Sequence, residues 1–478
     1  MKRKIFKALP ALLAVVLLST VSFATRYVSK PETRTYTVGQ DGAPTDPSQP
    51  GDPSAAPGAT ANPGDGPGAA PVVRGGKTLE CVRGRNGGAT DTGVTNSSIK
   101  LGATVVKTGI GASFLKEVPI ALQAVVNKVN RGGGVCGRLL NLKMVDDGWD
   151  AARGQQFIRN FISEGVFALA VSPSSEGLDA AIRNGDISKA GIPVVGADGM
   201  LISQYTDPWV WPVAASTITT MHVMAKNARD RGAKTFGLVY DKSYHFGVEG
   251  ASAFRGAIRR MMGSTAAIKA DIGIEAGQPS YKNDVDRFNG RCNPCDFVAM
   301  LLEPPTALQW IRDGASFGGM QPGGTGGPQP LFVDSFARAC GQPCNGLWVW
   351  TGYTPPIPPF DDLPAVSAYV NDLRANSSTV DVNNPFVEGG YLGMQLLVKA
   401  LRQVGPDLTR ERLRDVLDST VLDDGLTQPL RWRRGNHFAN NSVQAFSVVM
   451  NNGSFEKWRD ERTGWIADPW VGMDAPKR

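Results

Sequence analysis

Three histidines, His222, His245 and His437, supply every imidazole in this chain of 478 residues. A serine nucleophile needs such a base within reach, and the pattern Gly-x-Ser-x-Gly surrounds none of the serines. The acids Asp146, Asp147 and Asp150 are close enough in sequence to suggest a metal. The tetrapeptide Gly75-Gly76-Lys77-Thr78 echoes the end of a phosphate loop. The full pattern demands glycine five residues before Gly76; Pro71 stands there, and no strand precedes it. Nucleotide binding is therefore set aside, and catalysis with it. No catalytic residue, cofactor or metal is expected.

The cysteines carry the next chemistry. Cys292-Asn293-Pro294-Cys295 has the spacing of a redox dithiol or of half a zinc site. Zinc needs a second ligand pair, and none of the three histidines lies near a cysteine in sequence. An even cysteine count in an exported chain favours disulfides. The pairs suggested are Cys81 with Cys136, Cys292 with Cys295, and Cys340 with Cys344, although six cysteines allow many pairings and the sequence leaves connectivity open.

Export is read from the N-terminus. Lys2, Arg3, Lys4 and Lys7 precede an apolar stretch from Ala8 to Val21, the layout of a signal segment. Ser22 and Ala24 permit cleavage before Thr25, while Phe23 could extend the stretch into an uncleaved anchor. Residues 1–24 are thus a signal peptide or an anchor, and the remainder lies outside the cytoplasm, secreted or held to the outer face of the membrane. From Gly39 to Pro71, 33 residues hold eight prolines and seven glycines. Nothing there can offset the entropy of ordering the backbone, so residues 25–76 read as a disordered tether. Over the whole chain, the hydrophobic fraction of 42% fits a soluble globular protein, and a scattered net charge of +6 gives no nucleic-acid footprint.

These features need elements to position them. Apolar strands at Ile99–Val106, Leu139–Val145, Phe167–Val171 and Gly191–Val195 alternate with helical spacing at Pro119–Asn130 and Gly154–Glu164. A second series follows Trp211-Pro212: helix Thr217–Arg231, strand Thr235–Tyr240, helix Gly250–Met262, strand Phe297–Leu302, helix Ala307–Gly314 and strand Leu331–Val333. Such alternation predicts βαβ units and parallel sheets, hence two α/β, Rossmann-like lobes. Ligands then sit at the carboxyl ends of the strands.

The stretches Ile99-Lys-Leu-Gly-Ala-Thr, Asn130-Arg-Gly-Gly-Gly-Val-Cys-Gly-Arg and Val145-Asp-Asp-Gly-Trp-Asp resemble the leucine/isoleucine/valine-binding protein family. The likeness continues through Ser163-Glu-Gly-Val, Ser172-Pro-Ser-Ser, Gly191-Ile-Pro-Val-Val, Tyr240-Asp-Lys-Ser-Tyr-His-Phe-Gly and Gly346-Leu-Trp-Val-Trp. It implies the type I periplasmic-binding fold, with two lobes joined by three crossing strands and service to an ABC importer. The crossings are expected near Val213, Ser335 and Gln428. Residues 97–214 and 336–428 then form one lobe, and 215–335 and 429–478 the other. In this family the acidic run after the strand ending at Val145 is structural.

The resemblance also implies a site. The loop after the first strand gives Gly109, Ala112, Ser113 and Phe114, with a helix cap as the plainer role of Ser113. Ser174 and Ser175 match a serine-rich loop whose hydroxyls and helix-terminal N–H groups hold a carboxylate; capping is again the alternative. Gly196, Ala197 and Asp198 follow the fourth strand. Tyr244, His245 and Phe246 stand where the family sets an aromatic group against its ligand. Glu303 is placed for an ammonium group, and Tyr353 for the cleft wall. Asp198 would repel a carboxylate, and Trp149 replaces a cysteine found in some members, so the solute need not be a branched-chain amino acid. The function expected is extracytoplasmic capture of a small polar solute for an ABC permease, with membrane contact only through the N-terminal segment. A tethered sensor reporting to a membrane partner is the alternative.

Overall fold

The structure, a computed structural model, describes residues 72–74, 77–170, 173–320 and 323–476. The signal or anchor segment and the tether up to residue 71 lie outside the described residues. The described chain opens with an antiparallel hairpin of β1 (Val72–Arg74) and β2 (Lys77–Leu79). Val72–Arg74, inside the stretch expected to be disordered, is thus a strand, and Gly75 and Gly76 lie outside the described residues. Two consecutive valines favour a strand, and Arg74 pairs with Asp407 at 2.5 Å.

Next come β3 (Ser98–Val105), α1 (Ala112–Leu115), α2 (Val118–Arg131), β4 (Leu139–Asp146), α3 (Ala151–Ser163) and β5 (Ala168–Leu169). They are followed by α4 (Ser175–Arg183), α5 (Asp186–Ala190), β6 (Val194–Ala197), α6 (Ser203–Thr206) and β7 (Val210–Pro212). The five strands from β3 to β7 form one parallel sheet in the order β4-β3-β5-β6-β7. β3 is buried over nearly its whole length, as a central strand between helical layers must be. Gly102 within it is required by packing, since a Cβ there would lie 2.8 Å from the Phe161 ring of α3. α2 stops where Gly133 and Gly134 take φ of +90° and +81°, backbone that only glycine adopts freely.

The second series is α7 (Thr217–Asp230), β8 (Phe236–Asp241), α8 (His245–Met262), β9 (Ile268–Ile274), α9 (Lys282–Asn289), β10 (Phe297–Leu301) and α10 (Pro304–Arg312). Then come β11 (Thr325–Gly327), α11 (Asp334–Cys340) and β12 (Trp348–Thr351). The chain next runs through α12 (Pro364–Arg374), α13 (Pro385–Val404), α14 (Arg410–Leu417) and the small ladder of β13 (Val421–Leu422) with β14 (Leu430–Arg431). It ends in β15 (Ser442–Asn451), β16 (Ser454–Asp460) and β17 (Ile466–Ala467). The second sheet runs β9-β8-β10-β11-β12 in parallel, then β15 and β16 antiparallel, with β17 also on β15. α13 packs on α2 and β6, returning the chain to the first sheet.

Two expectations are corrected here. The strand awaited at Leu331–Val333 is β11 instead, and Gln329–Leu331 is a 3-10 turn. Thr325-Gly-Gly carries no apolar signal, yet Gly326 is what lets the Phe297 and Trp350 rings close over the strand, each 2.7 Å from where a Cβ would stand. The chain also does not return to the first sheet at Ser335, because β12 lies between β11 and β15 in the second. It leaves that sheet only after Thr351. The six cysteines sit in three pairs at disulfide distance, Cys81–Cys136, Cys292–Cys295 and Cys340–Cys344.

Candidate functional site

The connections change direction between β3 and β5 in the first sheet and between β8 and β10 in the second. Such switch points leave a crevice outside the carboxyl ends of the strands. The connections and first helical turns there carry Ser113 and Phe114 of α1, Ser174 to Glu176 at the start of α4, Tyr244 to Phe246 at the start of α8, and Glu303 at the cap of α10. Loops from the two sheets meet. Trp149, after β4, stacks on Tyr244 with centroids 4.4 Å and planes 13° apart, and Phe246 lies 5.9 Å from the indole. Phe114 meets Trp149 edge-on at 5.6 Å and Phe386 of α13 at 5.4 Å. Beside them a crevice of about 130 Å³ is lined by Ser113, Phe114 and Glu117 from one side, Val333 and Ser335 from the other, and Asn384.

Trp149 holds φ of +64°, rare for so bulky a residue. Two bonds fix it: its N–H donates to Asp147 Oδ1 at 2.9 Å, and its indole N–H to Ser175 Oγ at 3.0 Å. Backbone held in this way collects at ligand clamps. Between the starts of α4 and α8, Glu176 accepts the backbone N–H of His245 at 2.8 Å, and its second oxygen stands 2.7 Å from His245 Nδ1.

Carboxylates dominate the electrostatics. Burial pushes Asp147, Glu249 and Glu303 up to about 7, and Asp198 and Asp241 up to about 6. The Glu176 carboxylate holds the His245 imidazole above its ordinary value. The three early acids each have a local task. Asp146 accepts from the Lys107 and Gly148 N–H groups, Asp147 from Ser174 and Trp149, and Asp150 caps α3 by accepting from Arg153 N at 2.8 Å. No metal-holding cluster occurs among the described residues. Each histidine is engaged by carboxylates or a carbonyl: His222 by Asp468 and Asp474, His437 by Val210 O and Asp418, His245 by Glu176.

The residues chosen from the sequence divide into two groups. Ser113 and Phe114 line the crevice; beside it Trp149 contacts Phe114, Tyr244, Phe246 and Ser175, and Ser174 joins the group through Asp147. The hydroxyls of Ser174 and Ser175 are occupied, the first donating to Asp147 and the second accepting from Trp149, and neither caps α4. Ser113 lies within α1 and donates to Ile110 O at 3.1 Å, so its capping role is corrected too. Asp198 accepts from Gln204 Nε2 at 2.9 Å. The others have packing or local roles. A Cβ at Gly196 would overlap Gly393 of α13, so this glycine serves a strand–helix approach, and Ala197 is buried in β6 beside it. Glu303 caps α10, accepting from Thr306 N at 3.0 Å and from its hydroxyl. Tyr353 is buried against Gly389. Sequence reasoning weighed Asp147 only as one of three acids suggesting a metal, passed over Glu176 and Glu249, and took Trp149 only as the replacement of a cysteine. A bulky aromatic directly after Gly148 at a strand end, and an acid in the first turn of α4, were the available signals.

The chain belongs to the periplasmic binding protein family, whose model matches residues 98–454. The family comprises extracytoplasmic solute-binding proteins, binders rather than enzymes. Among similar solved structures is a possible leucine/isoleucine/valine-binding protein from Rhodopirellula baltica SH 1, at 18% identity and TM-score 0.65, covering 76% of this chain and 96% of that one. A fatty acid ABC transporter substrate-binding protein from Thermomonospora curvata, at 18% identity and TM-score 0.65, covers 80% and 95%. A solute binding protein of an ABC transporter from R. palustris, in complex with 4-hydroxybenzoate, has 15% identity and TM-score 0.66 and covers 79% and 99%. These likenesses show the type I periplasmic-binding fold. No curated protein sequence matches the chain. No described helix is long and apolar enough to cross a membrane.

Proposed function

We propose that the protein captures a small polar solute, an amino acid or a related compound, between the carboxyl edges of its two sheets and delivers it to an ABC importer. The meeting of the two switch points, with Trp149 on Tyr244 and Glu176 on His245, carries this reading. The chain segments bearing the sheets act as two lobes that close on the solute. Phe114, Trp149 and Tyr244 give apolar faces, and Asp198 and Glu249 accept hydrogen bonds from amino or hydroxyl groups. The N-terminal segment, cleaved or retained as an anchor, keeps the protein outside the cytoplasm near its permease.

The test is a thermal-shift screen of the purified protein against amino acids, amides and small aliphatic and aromatic acids, followed by calorimetric titration of the hits. A solute at one hundred times its Kd stabilises the folded state by about 2.7 kcal/mol, so a true ligand gives a saturable shift. A flat response across all these classes at millimolar concentration would count against the reading.

A further inference from the structure

Glu176 reaches from the first-sheet side of the molecule to the start of a helix on the second-sheet side. It lies in the first turn of α4, on the first-sheet side, whereas His245 opens α8 on the second-sheet side. One carboxylate oxygen takes the N-terminal N–H of α8 at 2.8 Å, and the other stands 2.7 Å from the imidazole Nδ1. Asp179, one turn further along α4, is 3.4 Å from the same nitrogen. Both acids are buried, at 6% and 1% side-chain exposure, while His245 is 45% exposed. Solvent protons thus reach the imidazole while its acidic partners are shielded, and burial of that kind leaves the pair little screened by salt.

We infer that Glu176 is a positioning residue for cleft closure, acting through His245, so that the protonated imidazole clasps the two sheets together and its neutral form releases them. The inference rests on the cleft reading above.

The groups facing His245 agree on the sign. From α4, Glu176 and Asp179 favour the imidazolium and Arg183 opposes it; on α8 itself, Glu249 interacts with His245. Arg183 is occupied with Asp179, which it bonds at 2.6 Å. The imidazole is therefore raised above its ordinary 6.5 when the halves touch, chiefly by Glu176. A group raised in the closed state supports closure fully below its open-state value, and that support is lost as pH rises through the closed-state value. Closure takes up a proton.

The test needs no solute. Only three histidines give imidazole resonances, and the His245→Gln variant identifies the signal of residue 245. In the full-length protein this signal should titrate above the value for a free imidazole, and Glu176→Gln should bring it back toward that value. Small-angle scattering from about pH 6 to about pH 8.5 should show the radius of gyration increasing for wild type. It should stay at the compact value in His245→Arg, a permanent cation, and at the larger value in His245→Gln. Glu176→Asp, which keeps the charge, should retain part of the pH response. Identical His245 titration in wild type and Glu176→Gln, or a wild-type radius independent of pH, overturns the proposal. Because no ligand is used, that failure would leave the solute reading standing, and an empty solute screen would leave the clasp standing.

Discussion

Ser174 donates its hydroxyl to the buried carboxylate of Asp147. Burial raises Asp147 to about 7, while the Ser174 bond works the other way by stabilising the ionised form. A carboxylate whose folded value exceeds its unfolded value of 3.8 supports the fold fully below 3.8 and withdraws that support as pH rises toward about 7. Ser174→Ala removes the one side-chain donor that limits the penalty. The variant should lose about 1–3 kcal/mol in urea unfolding at pH 8, and distinctly less at pH 5, where Asp147 is neutral. Equal losses at both values would mean that the hydroxyl acts by packing alone. This chemistry was half legible. The serine-rich loop and its place at a helix start were visible in the sequence, but the identity of the hydroxyl's partner was not. Asp147 lies 27 residues away and reaches Ser174 only because Gly154 and Gly177 let α3 and α4 approach closely.

Elements were read best where burial follows sequence period. β3, α2 and β10 carry long apolar patterns and appear within a residue or two of their expected limits. Helix starts were read late: α8 begins at His245 and α10 at Pro304, so Tyr244 and Glu303 are cap positions rather than free loop residues. The segment between β2 and β3 has no period at all, and a side chain distant in sequence is among the groups that tie it down. Arg138 is buried and donates from Nε to Thr95 O at 2.8 Å, from Nη1 to Pro406 O at 3.2 Å, and from Nη2 to Asn86 O and Gly88 O. Burial lowers the guanidinium to about 10, so it stays charged under all ordinary conditions. Arg138→Leu leaves these carbonyls without their donor. At about 1–3 kcal/mol for each buried group left unpaired, the variant should lose at least about 3 kcal/mol, the losses not being additive. Limited proteolysis should then cut between residues 80 and 96, where wild type resists. A resistant variant would show that the remaining ties, the Cys81–Cys136 link and the bonds of Asn86, Thr90 and Asp91, hold the segment without Arg138.

At the scale of the whole molecule, two sheets and their parallel sense followed from the alternation of strands and helices, whereas the route between the sheets did not. With the Thr-Gly-Gly strand β11 invisible, Leu331–Val333 stood in as the last strand of the second series, and Trp348–Thr351 was given to the first lobe. The structure brings the three transits together at Asn440. This buried side chain, on the third, donates from Nδ2 to Val213 O on the first and to Gly352 O on the second, both at 3.1 Å. Gly352 is the residue that fits, since a Cβ would come within 3.0 Å of both Asn440 Nδ2 and the Ala215 Cβ. On the same third transit, Trp432 Nε1 donates to Pro212 O at 3.0 Å. Movement of one sheet against the other would bend these three segments, and the Asn440 bonds join all three at one point. Asn440→Ala removes a donor shared by two carbonyls and should reduce stability by about 2–4 kcal/mol. A merely structural loss would speed hydrogen exchange across the chain. A hinge role makes a narrower forecast: exchange rises first at residues 213–216 and 352–354, ahead of β3 and β8, under conditions where the variant remains folded. Exchange at the transits no faster than in the sheet cores would remove Asn440 from the hinge.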